Sequence, residues 1–292
     1  MKIKRLISLG LVLTMALSFV GCGEGRTENI EYPVQIYGET IETQPISVVS
    51  LSPSLTEICY DLGFEMTLDG VSNNCVLHDK TDAVFLGTAQ NPNIEGILEL
   101  KPDIVITNSP LTERDYKELL EADIKTIVFE APKGIKEMWE LYDDMGRVFS
   151  GKATGTDRAR EKYEPYKYKI QKQKPIFDGA IAVFVPHSDI ILKSENKLLE
   201  DFLAVLGARL ATTDEEIKNA QIILAHKDAD LEKVFGNELL KDSPAVKGKK
   251  AIAIDTDVLL RGGFDACQLI EDISMENFSL DFGEKEESPK EK

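Results

Sequence analysis

The chain has 292 residues, of which 42% are hydrophobic, and its formal net charge is −17 at pH 7. This length and apolar content suit one large or two modest globular domains. The acidic balance argues against a nucleic-acid-binding protein, because a polyanion would be repelled and no basic, aromatic stripe offsets the repulsion.

The first 21 residues are predicted to be a signal peptide. MKIKR is a basic start, and the following LISLGLVLTMALSFV is an apolar core too short for a comfortable membrane span. Next comes Gly21-Cys22, which resembles the bacterial lipobox, although Phe19 stands where leucine is usual. The resemblance implies that Cys22 is lipidated and becomes the mature N-terminus; a secretory signal with an incidental cysteine is the alternative. We therefore expect an extracytoplasmic protein that is lipid-anchored to the cell membrane.

Cysteine supplies no disulfide framework. If Cys22 carries lipid, Cys59, Cys75 and Cys267 remain. This is an odd number in an exported protein, so at most one disulfide can form.

Residues 22–44 are predicted to form a tether with at most one short edge strand, because they are polar and lack sustained periodicity. The folded part is expected to begin near Pro45. From there, apolar runs of strand length alternate with amphipathic segments, which is typical of parallel sheets covered by helices. The first set has predicted strands at 46–51, 103–107 and 125–129 and helices from 54 and from 112; the second has strands at 179–185, 221–225 and 250–254 and helices at about 196–206 and from 263.

This alternation predicts an α/β fold of two lobes with central sheets, an N-terminal lobe at 45–133 and a C-terminal lobe at 174–278. Residues 134–173 show helical spacing without a strand signal, which predicts a long helix joining the lobes. Glycines at 151–155 and Pro165 are expected to bend or break it. Residues 279–292 form an acidic tail.

Enzyme motifs are weak. GRVFSGKA at 146–153 has the glycine spacing of a P-loop, but it ends in Ala153 where a hydroxyl is needed, and it follows a helical pattern. Ser52 lies between a strand and a helix, as a hydrolase nucleophile does, yet LSPSL lacks the glycines of the sharp turn. We predict no catalytic residue.

Metal ligation is not predicted either. His78, His187 and His226 could meet in a cleft, and Cys75-x-x-His78-Asp79 has ligand-like chemistry. A transition-metal site needs three or four converging groups, and one pair with two scattered histidines falls short of that. Exposed loop residues are the alternative, so no metal or cofactor is assigned.

Small polar segments follow several predicted strands. In open α/β sheets, ligands bind beyond the carboxyl ends of the strands, where helix N-termini and loop amides converge. Ordinary connecting turns use the same residue types and are the alternative. The segments are Ser52-Pro53-Ser54, Gly87-Thr88-Ala89-Gln90-Asn91, Asn108-Ser109-Pro110 and Pro186-His187-Ser188.

Three stretches resemble the periplasmic-binding-protein superfamily members that carry cobalamin, ferric siderophores or haem to ABC importers. They are VVSLSPSLTEICYDLGFEMTLDGVSNN, GTAQNPNIEGILELKPDIVITN and NELLKDSPAVKGKKAIAID, and the similarity runs from about 46 to 275. The resemblance implies two α/β lobes joined by one long helix, a ligand cleft between them and little hinge motion. It also implies an ABC permease as partner, and we expect a monomer.

The resemblance places the strand-end loops in the ligand cleft. The implied ligand-binding residues are Ser52, Pro53, Ser54, Asn73, Asn74, Thr88, Ala89, Gln90, Asn108, Pro186, His187, Lys227 and Arg261. One exposed acidic residue per lobe docks on the permease in this family, which implies Glu95 in NPNIEGIL and Glu215 in TDEEIKNA. For each glutamate, a solvated helix face is the alternative.

The ligand class stays open. Cobalamin binders of the family present aromatic side chains from the cleft loops, whereas the matching places here read Asn73-Asn74-Cys75, Thr88-Ala89-Gln90 and Thr256-Asp257-Val258. A corrin ring needs broad apolar or aromatic contact. Arg261 and Lys227 could instead meet an anionic chelate.

The sequence thus favours a solute-binding lipoprotein that delivers a chelated-metal or cofactor-like ligand, of the siderophore, haem or corrinoid class, to an ABC importer. A non-transport surface lipoprotein, either a sensor or an adhesion module, is the first alternative. An extracytoplasmic hydrolase on a similar scaffold is the second, and it lacks a nucleophile motif or a complete metal triad in the sequence.

Overall fold

The computed structural model describes residues 31–75, 82–187 and 190–275. Its strands are β1 (Val34–Ile36), β2 (Glu39–Ile41), β3 (Val48–Ser50), β4 (Leu68–Val71), β5 (Val84–Phe85), β6 (Gly87–Thr88), β7 (Asn91–Pro92), β8 (Ile104–Thr107), β9 (Lys125–Val128), β10 (Ala180–Val185), β11 (Ala208–Leu210), β12 (Ile222–His226) and β13 (Ala251–Ile254). Its helices are α1 (Pro53–Leu62), α2 (Ile94–Leu100), α3 (Glu113–Glu121), α4 (Ile135–Ser150), α5 (Lys152–Lys172), α6 (Lys197–Val205), α7 (Asp214–Lys218), α8 (Leu231–Gly236), α9 (Pro244–Lys247), α10 (Thr256–Arg261) and α11 (Gly263–Met275).

Two parallel sheets form the centres of two lobes. The first sheet has the strand order β5-β4-β3-β8-β9, and the second has the order β11-β10-β12-β13. All the pairings within these two sheets are parallel. The predicted α/β fold with two central sheets is therefore confirmed, and helices cover both faces of each sheet, as parallel strands require.

The junction from β3 to α1 follows from its residue types. Val48 and Val49 are fully buried, which suits a strand that is covered on both faces. Pro53 occupies the first turn of α1, where its missing N–H costs nothing. The helix ends at Gly63, which takes a left-handed conformation with φ 75°. A buried strand is thus followed directly by a helix whose N-terminus lies at the carboxyl edge of the sheet.

The segment that joins the lobes contains two helices. α4 and α5 meet at Gly151, whose φ of 91° ends the first helix, as the glycines at 151–155 indicated. The helices then pack against each other, with the backbones of Gly146 and Gly155 in contact. α5 continues through Pro165 without a break.

α5 contacts both lobes. Near its start, Arg158 donates hydrogen bonds of 2.9 and 3.0 Å to the carbonyls of Leu62 and Gly63 in the N-terminal lobe. Near its end, Lys169 lies 2.6 Å from the Glu271 carboxylate of α11 in the C-terminal lobe. The long helix between the lobes that the sequence predicted is therefore α5, and α4 is an additional helix packed along it.

Residues 31–44 belong to the folded part and not to a tether. β1 and β2 form an antiparallel hairpin, and Val34, Ile36 and Ile41 are buried in the main hydrophobic core. The Tyr32 hydroxyl donates a hydrogen bond of 3.0 Å to the carbonyl of Val148. Only a few side chains of this hairpin alternate between buried and exposed positions. The segment is therefore too short to show a sustained period in the sequence.

Within the described ranges, no helix combines the length and the apolar character that crossing a bilayer requires. The predicted signal peptide at 1–21, Cys22 and the acidic tail at 279–292 lie outside the described residues.

We predict that Gly155→Ala destabilises the fold. A Cβ atom at this position would lie 2.1 Å from the carbonyl oxygen of Gly146, so the α4 and α5 backbones would have to separate. Such overpacking costs about 1–3 kcal/mol of the free energy of unfolding, which urea denaturation measures. Gly236→Ala is the matched control, because a Cβ there meets nothing within 4 Å. Equal stability of the two variants would contradict the close crossing.

Candidate ligand site

A cavity of about 240 Å³ lies between the lobes at the carboxyl edge of the first sheet. Its walls come from the start of α1 and the loops after β8 and β9 on one side, and from α6 and α10 on the other. The lining residues are Pro53, Ser54, Asn108, Ala131 and Pro132 of the N-terminal lobe and Leu198, Leu260 and Arg261 of the C-terminal lobe. This is the position at which open α/β sheets bind ligands.

A hydrogen-bond network holds the N-terminal wall of the cavity in place. The Ser52 hydroxyl donates to Asn108 Oδ1 at 2.7 Å and accepts from the Asn108 backbone N–H at 2.8 Å. Asn108 Nδ2 then donates to Ser54 Oγ at 3.1 Å. Ser52 itself is only 1% exposed. The structure thus places Ser52 behind the wall, where it orients Asn108 and Ser54.

The same network leaves the N-terminus of α1 without a side-chain cap. Ser52 stands at the N-cap position, but its hydroxyl is engaged by Asn108 and does not bond to the first-turn amides. The first-turn N–H groups of a helix carry a partial positive charge and attract anions. The N-terminal wall of the cavity therefore favours a negatively charged or polar group.

Arg261 of α10 and Glu57 of α1 form an ion pair between the lobes. Arg261 Nε lies 2.9 Å from Glu57 Oε1, and the two side chains are 20% and 15% exposed. The Nε–H is not aligned for a hydrogen bond, so the contact is electrostatic. The pKa of Glu57 is raised to about 7, chiefly by burial; the Arg261 charge opposes this shift, and the charges of Asp265 and Asp61 add to it.

Asp61 lies one turn after Glu57 on α1, at the same contact between the lobes. The hydroxyl of Tyr142 on α4 donates a hydrogen bond to the Asp61 carboxylate. Burial raises the pKa of Asp61 to about 6, although this hydrogen bond opposes the shift. The contact between the lobes thus contains two carboxyl groups that bind protons more tightly than they would in water.

A second polar cluster lies at the carboxyl edge of the second sheet. His187 Nε2 is 3.1 Å from Asp257 Oδ1, and the rings of His187 and His226 have centroids 5.2 Å apart. Beside them, Lys227 Nζ lies 2.9 Å from Asp255 Oδ2. The cluster brings together two predicted ligand-binding residues, His187 and Lys227, but neither lines the 240 Å³ cavity.

The remaining predicted ligand residues lie elsewhere. Pro186 uses its carbonyl to accept a hydrogen bond of 2.8 Å from Thr256. Asn73 binds the backbone of Gly87 through its side chain at 2.9 Å. Pro186 does not line the cavity. The predicted residues of the N-terminal loops that also do not line it are Asn73, Asn74, Thr88, Ala89 and Gln90. His78, Asp79 and Ser188 lie outside the described residues.

Sequence reasoning missed half of the cavity wall. Ala131 and Pro132 follow β9, so the rule that strand-end loops bind ligands would have found them. Leu198 and Leu260 are ordinary apolar helix residues, and no local pattern distinguishes them from core leucines.

The two predicted docking glutamates are both exposed, Glu95 in the first turn of α2 and Glu215 in α7. The neighbours Asp214 and Glu216 form ion pairs with basic side chains. Within the part of the chain that the structure describes, Glu215 and Glu95 have no such ion pair. Both carboxylates are therefore available to a partner.

Comparisons with known proteins give one family and several relatives. The model of the family described as periplasmic binding protein matches residues 48–258. The chain is 23% identical to the uncharacterized ABC transporter substrate-binding lipoprotein YvrC of Bacillus subtilis (strain 168), over 90% of this chain and 94% of that protein.

Two solved structures of Vibrio cholerae proteins share the fold. The periplasmic haem-binding protein HutB superposes with a TM-score of 0.66 and 19% identity, covering 79% of this chain and 98% of HutB. The periplasmic vitamin B12-binding protein BtuF superposes with a TM-score of 0.59 and 17% identity, covering 79% of this chain and 96% of BtuF.

We predict that Glu57→Gln weakens the pH dependence of stability. The pKa of Glu57 is 4.5 in the unfolded chain and about 7 in the folded protein. Between these two pH values, Glu57 keeps its proton in the folded protein and loses it in the unfolded chain. The free energy of unfolding therefore falls as the pH rises through this window. Removing the titrating group should shrink the fall between about pH 5 and about pH 8 by roughly 1–3 kcal/mol.

Urea denaturation across this pH range measures the effect. Asp61 titrates in the same direction, so part of the fall should remain in the variant. Glu99→Gln, at an exposed position on α2, is the control and should follow the parent curve. Parallel curves for Glu57→Gln and the parent would show that Glu57 is not the titrating group.

Proposed function

The chain belongs to the periplasmic binding protein family, whose model covers residues 48–258, and from this premise we propose that it is an extracytoplasmic solute-binding lipoprotein of an ABC importer. The resemblance of its motifs to this family is thereby confirmed. The observation that carries the proposal is the cavity between two parallel sheets, with loops of one lobe and helices of the other as its walls. The similarity to YvrC supports the lipoprotein and importer assignments.

The ligand that we propose is a chelated metal or a cofactor-like molecule of the siderophore, haem or corrinoid class. The structural similarity to a haem-binding and a vitamin B12-binding protein supports this range. The predicted lipid at Cys22, which would hold the protein at the membrane, lies outside the described residues and stays a prediction.

Within this range, the chemistry of the cavity favours an anionic chelate over a flat macrocycle. None of its lining residues is aromatic, and they include the Arg261 guanidinium beside the uncapped start of α1. Affinity for a corrin or a porphyrin relies on stacking and on the burial of a large apolar area. The volume of about 240 Å³ is also small beside the ~300–1,000 Å³ of typical ligand pockets.

A metal chelate that carries carboxylate or catecholate oxygens suits these groups better. Arginine pairs with such oxygens through two parallel N–H donors, and a helix N-terminus offers further donors. The Glu57 carboxylate competes with such oxygens for Arg261. Because the pKa of Glu57 is about 7, its charge and hence this competition diminish as the pH falls below neutrality.

We predict weak cobalamin binding. Titration calorimetry with cyanocobalamin should give no dissociation constant below about 1 μM. Tighter binding requires ~8 kcal/mol or more, and stacking and the burial of apolar area would have to supply most of it. The cavity lining has no aromatic residue to do so. BtuF, described as a vitamin B12-binding protein, serves as the positive control in the same buffer. A nanomolar constant for this chain would show that the polar lining was misinterpreted.

Permease docking is proposed to use Glu95 and Glu215. One exposed carboxylate on each lobe gives orientation as well as affinity, because only the correct lobe geometry lets both pair with permease arginines together. The anionic surface offers a competing explanation, general charge attraction, in which many carboxylates are interchangeable. The two explanations make different predictions for variants.

Reversing both charges, Glu95→Lys with Glu215→Lys, should reduce permease binding by about a hundredfold. Each lost charge-assisted pair is worth about 1.5–3 kcal/mol, and 1.4 kcal/mol corresponds to tenfold. Permease in nanodiscs measures this binding, and native mass spectrometry of protein from its own host should show that the variant retains the parent's bound ligand.

The matched control is Glu99→Lys with Glu232→Lys, which reverses one exposed glutamate on α2 and one on the C-terminal lobe. It removes the same net charge and should leave permease binding nearly unchanged. If the control is as damaging as the docking variant, general attraction is the better explanation. If neither variant affects binding, the chain docks through other residues or is a surface lipoprotein without a transport role.

A further inference from the structure

The second sheet brings three metal-ligating side chains to one point. His187 follows β10, His226 ends β12 and Asp257 lies in the first turn of α10, directly after β13. β12 lies between β10 and β13, so the three strand ends are neighbours. Each residue offers one ligand atom, and these atoms all lie within 4.8 Å of one another. We propose that His187, His226 and Asp257 bind a divalent transition-metal ion.

The distances suit such an ion after a small movement. In a tetrahedral site with metal–ligand distances of about 2.0–2.2 Å, the ligand atoms lie about 3.3 Å apart. His187 Nε2 and Asp257 Oδ1 are already 3.1 Å apart. The side chain of His187 is 64% exposed, and that of Asp257 is 38% exposed, so both can rotate toward His226 without disturbing the core.

His226 is the fixed ligand of the three. Its ring is only 13% exposed, and its Nδ1 accepts a hydrogen bond of 3.2 Å from the backbone N–H of Asp228. The other ring nitrogen, Nε2, is then the atom that can bind the metal, which requires the tautomer with a proton on Nδ1. In that tautomer Nδ1 no longer accepts from the Asp228 backbone. Its N–H can instead donate a hydrogen bond to the Asp228 carboxylate, which lies 3.7 Å from Nδ1. Metal-bound histidines are usually oriented by such a carboxylate.

The surrounding charge also favours a cation. Lys227 is the basic side chain next to the cluster, and its ammonium group is paired with Asp255 at 2.9 Å. Among the described residues, neither Asp228 nor Asp257 has an ion pair with a lysine or arginine side chain. Two imidazoles with one carboxylate select Zn²⁺, Co²⁺, Ni²⁺ or Cu²⁺ over Mg²⁺ and Ca²⁺, which prefer all-oxygen sites.

The inference goes beyond the proposed function and does not depend on it. The cluster lies outside the lining of the interlobe cavity, and delivery of a ligand to a permease requires no ion there. Three protein ligands leave a fourth position open, which a water molecule or another donor atom can occupy.

The test is metal binding by the full chain, prepared without a histidine tag and treated with EDTA. Titration calorimetry and native mass spectrometry with ZnCl₂, NiCl₂ or CoCl₂ alone should show one ion per chain. Co²⁺ should also give visible absorption bands of a nitrogen- and oxygen-ligated site. MgCl₂ and CaCl₂ should not bind at this site.

Three variants locate the ion: His187→Ala, His226→Ala and Asp257→Asn. Each should weaken metal binding by at least about tenfold, because even the loss of a residue that only hydrogen-bonds to a metal ligand typically costs that much. Asp242→Asn is the matched control, because it removes an exposed carboxylate on the same lobe, near the opposite edge of the sheet, where Ala245 bonds to Ala220. It should bind the ion like the parent.

Circular dichroism and thermal unfolding establish that each variant is folded before it is titrated. An absence of Zn²⁺, Ni²⁺ and Co²⁺ binding by the parent would overturn the proposal. Undiminished binding by the His187→Ala/His226→Ala double variant would also overturn it, because the ion would then be held elsewhere. These results are independent of permease binding, so this proposal and the proposed function can fail separately.

Discussion

The close crossing of α4 and α5 fixes how the two lobes can face each other. Gly146 and Gly155 let the two backbones touch, and no side chain fits between them. α5 then attaches to the N-terminal lobe through Arg158 and to the C-terminal lobe through Lys169. Because both lobes are bound to one rigid helix, the cavity between them is a property of the whole chain and not of either sheet alone.

This constraint holds several ionisable side chains together at the contact between the lobes. A fixed distance between α1 and α10 brings Glu57 against Arg261 in a poorly solvated place. Burial raises the pKa of Glu57 and of Asp61, since a buried carboxylate is less stable than its neutral form. Two lobes that could separate freely would hydrate these groups and remove the shift. The ligand site and the predicted pH dependence of stability thus both depend on the contact between the lobes.

Much of the fold could be predicted from the sequence, because the long central strands are nearly continuous apolar runs. The run at 221–225 corresponds to β12 at 222–226, and the run at 250–254 to β13 at 251–254. The sequence does not predict β4, because Leu68-Asp-Gly-Val contains two residues that are rare in strands. The hairpin of β1 and β2 falls in the predicted tether, because this segment shows no sustained period.

The candidate site was less predictable, because it depends on contacts between distant segments. Ser52 and Asn108 each follow a strand, so local pattern suggested both, but only the packing of β3 against β8 shows that they bond to each other. Leu198 and Leu260 enter the cavity through the arrangement of the lobes. The meeting of His187 with Asp257 likewise requires β10, β12 and β13 to be neighbours, which no spacing along the chain reveals.

The two polar clusters of the cleft region have opposite preferences, and the net charge of −17 affects them differently. At physiological ionic strength, exposed charges are screened beyond about 8 Å. An anionic ligand is therefore attracted only at short range, by Arg261 and the start of α1, after it has overcome the repulsion of the surface. A metal cation is attracted by the acidic surface within this screening distance, and it then meets carboxylates beside His226. The same acidic surface thus slows the approach of an anionic chelate and speeds that of a free cation.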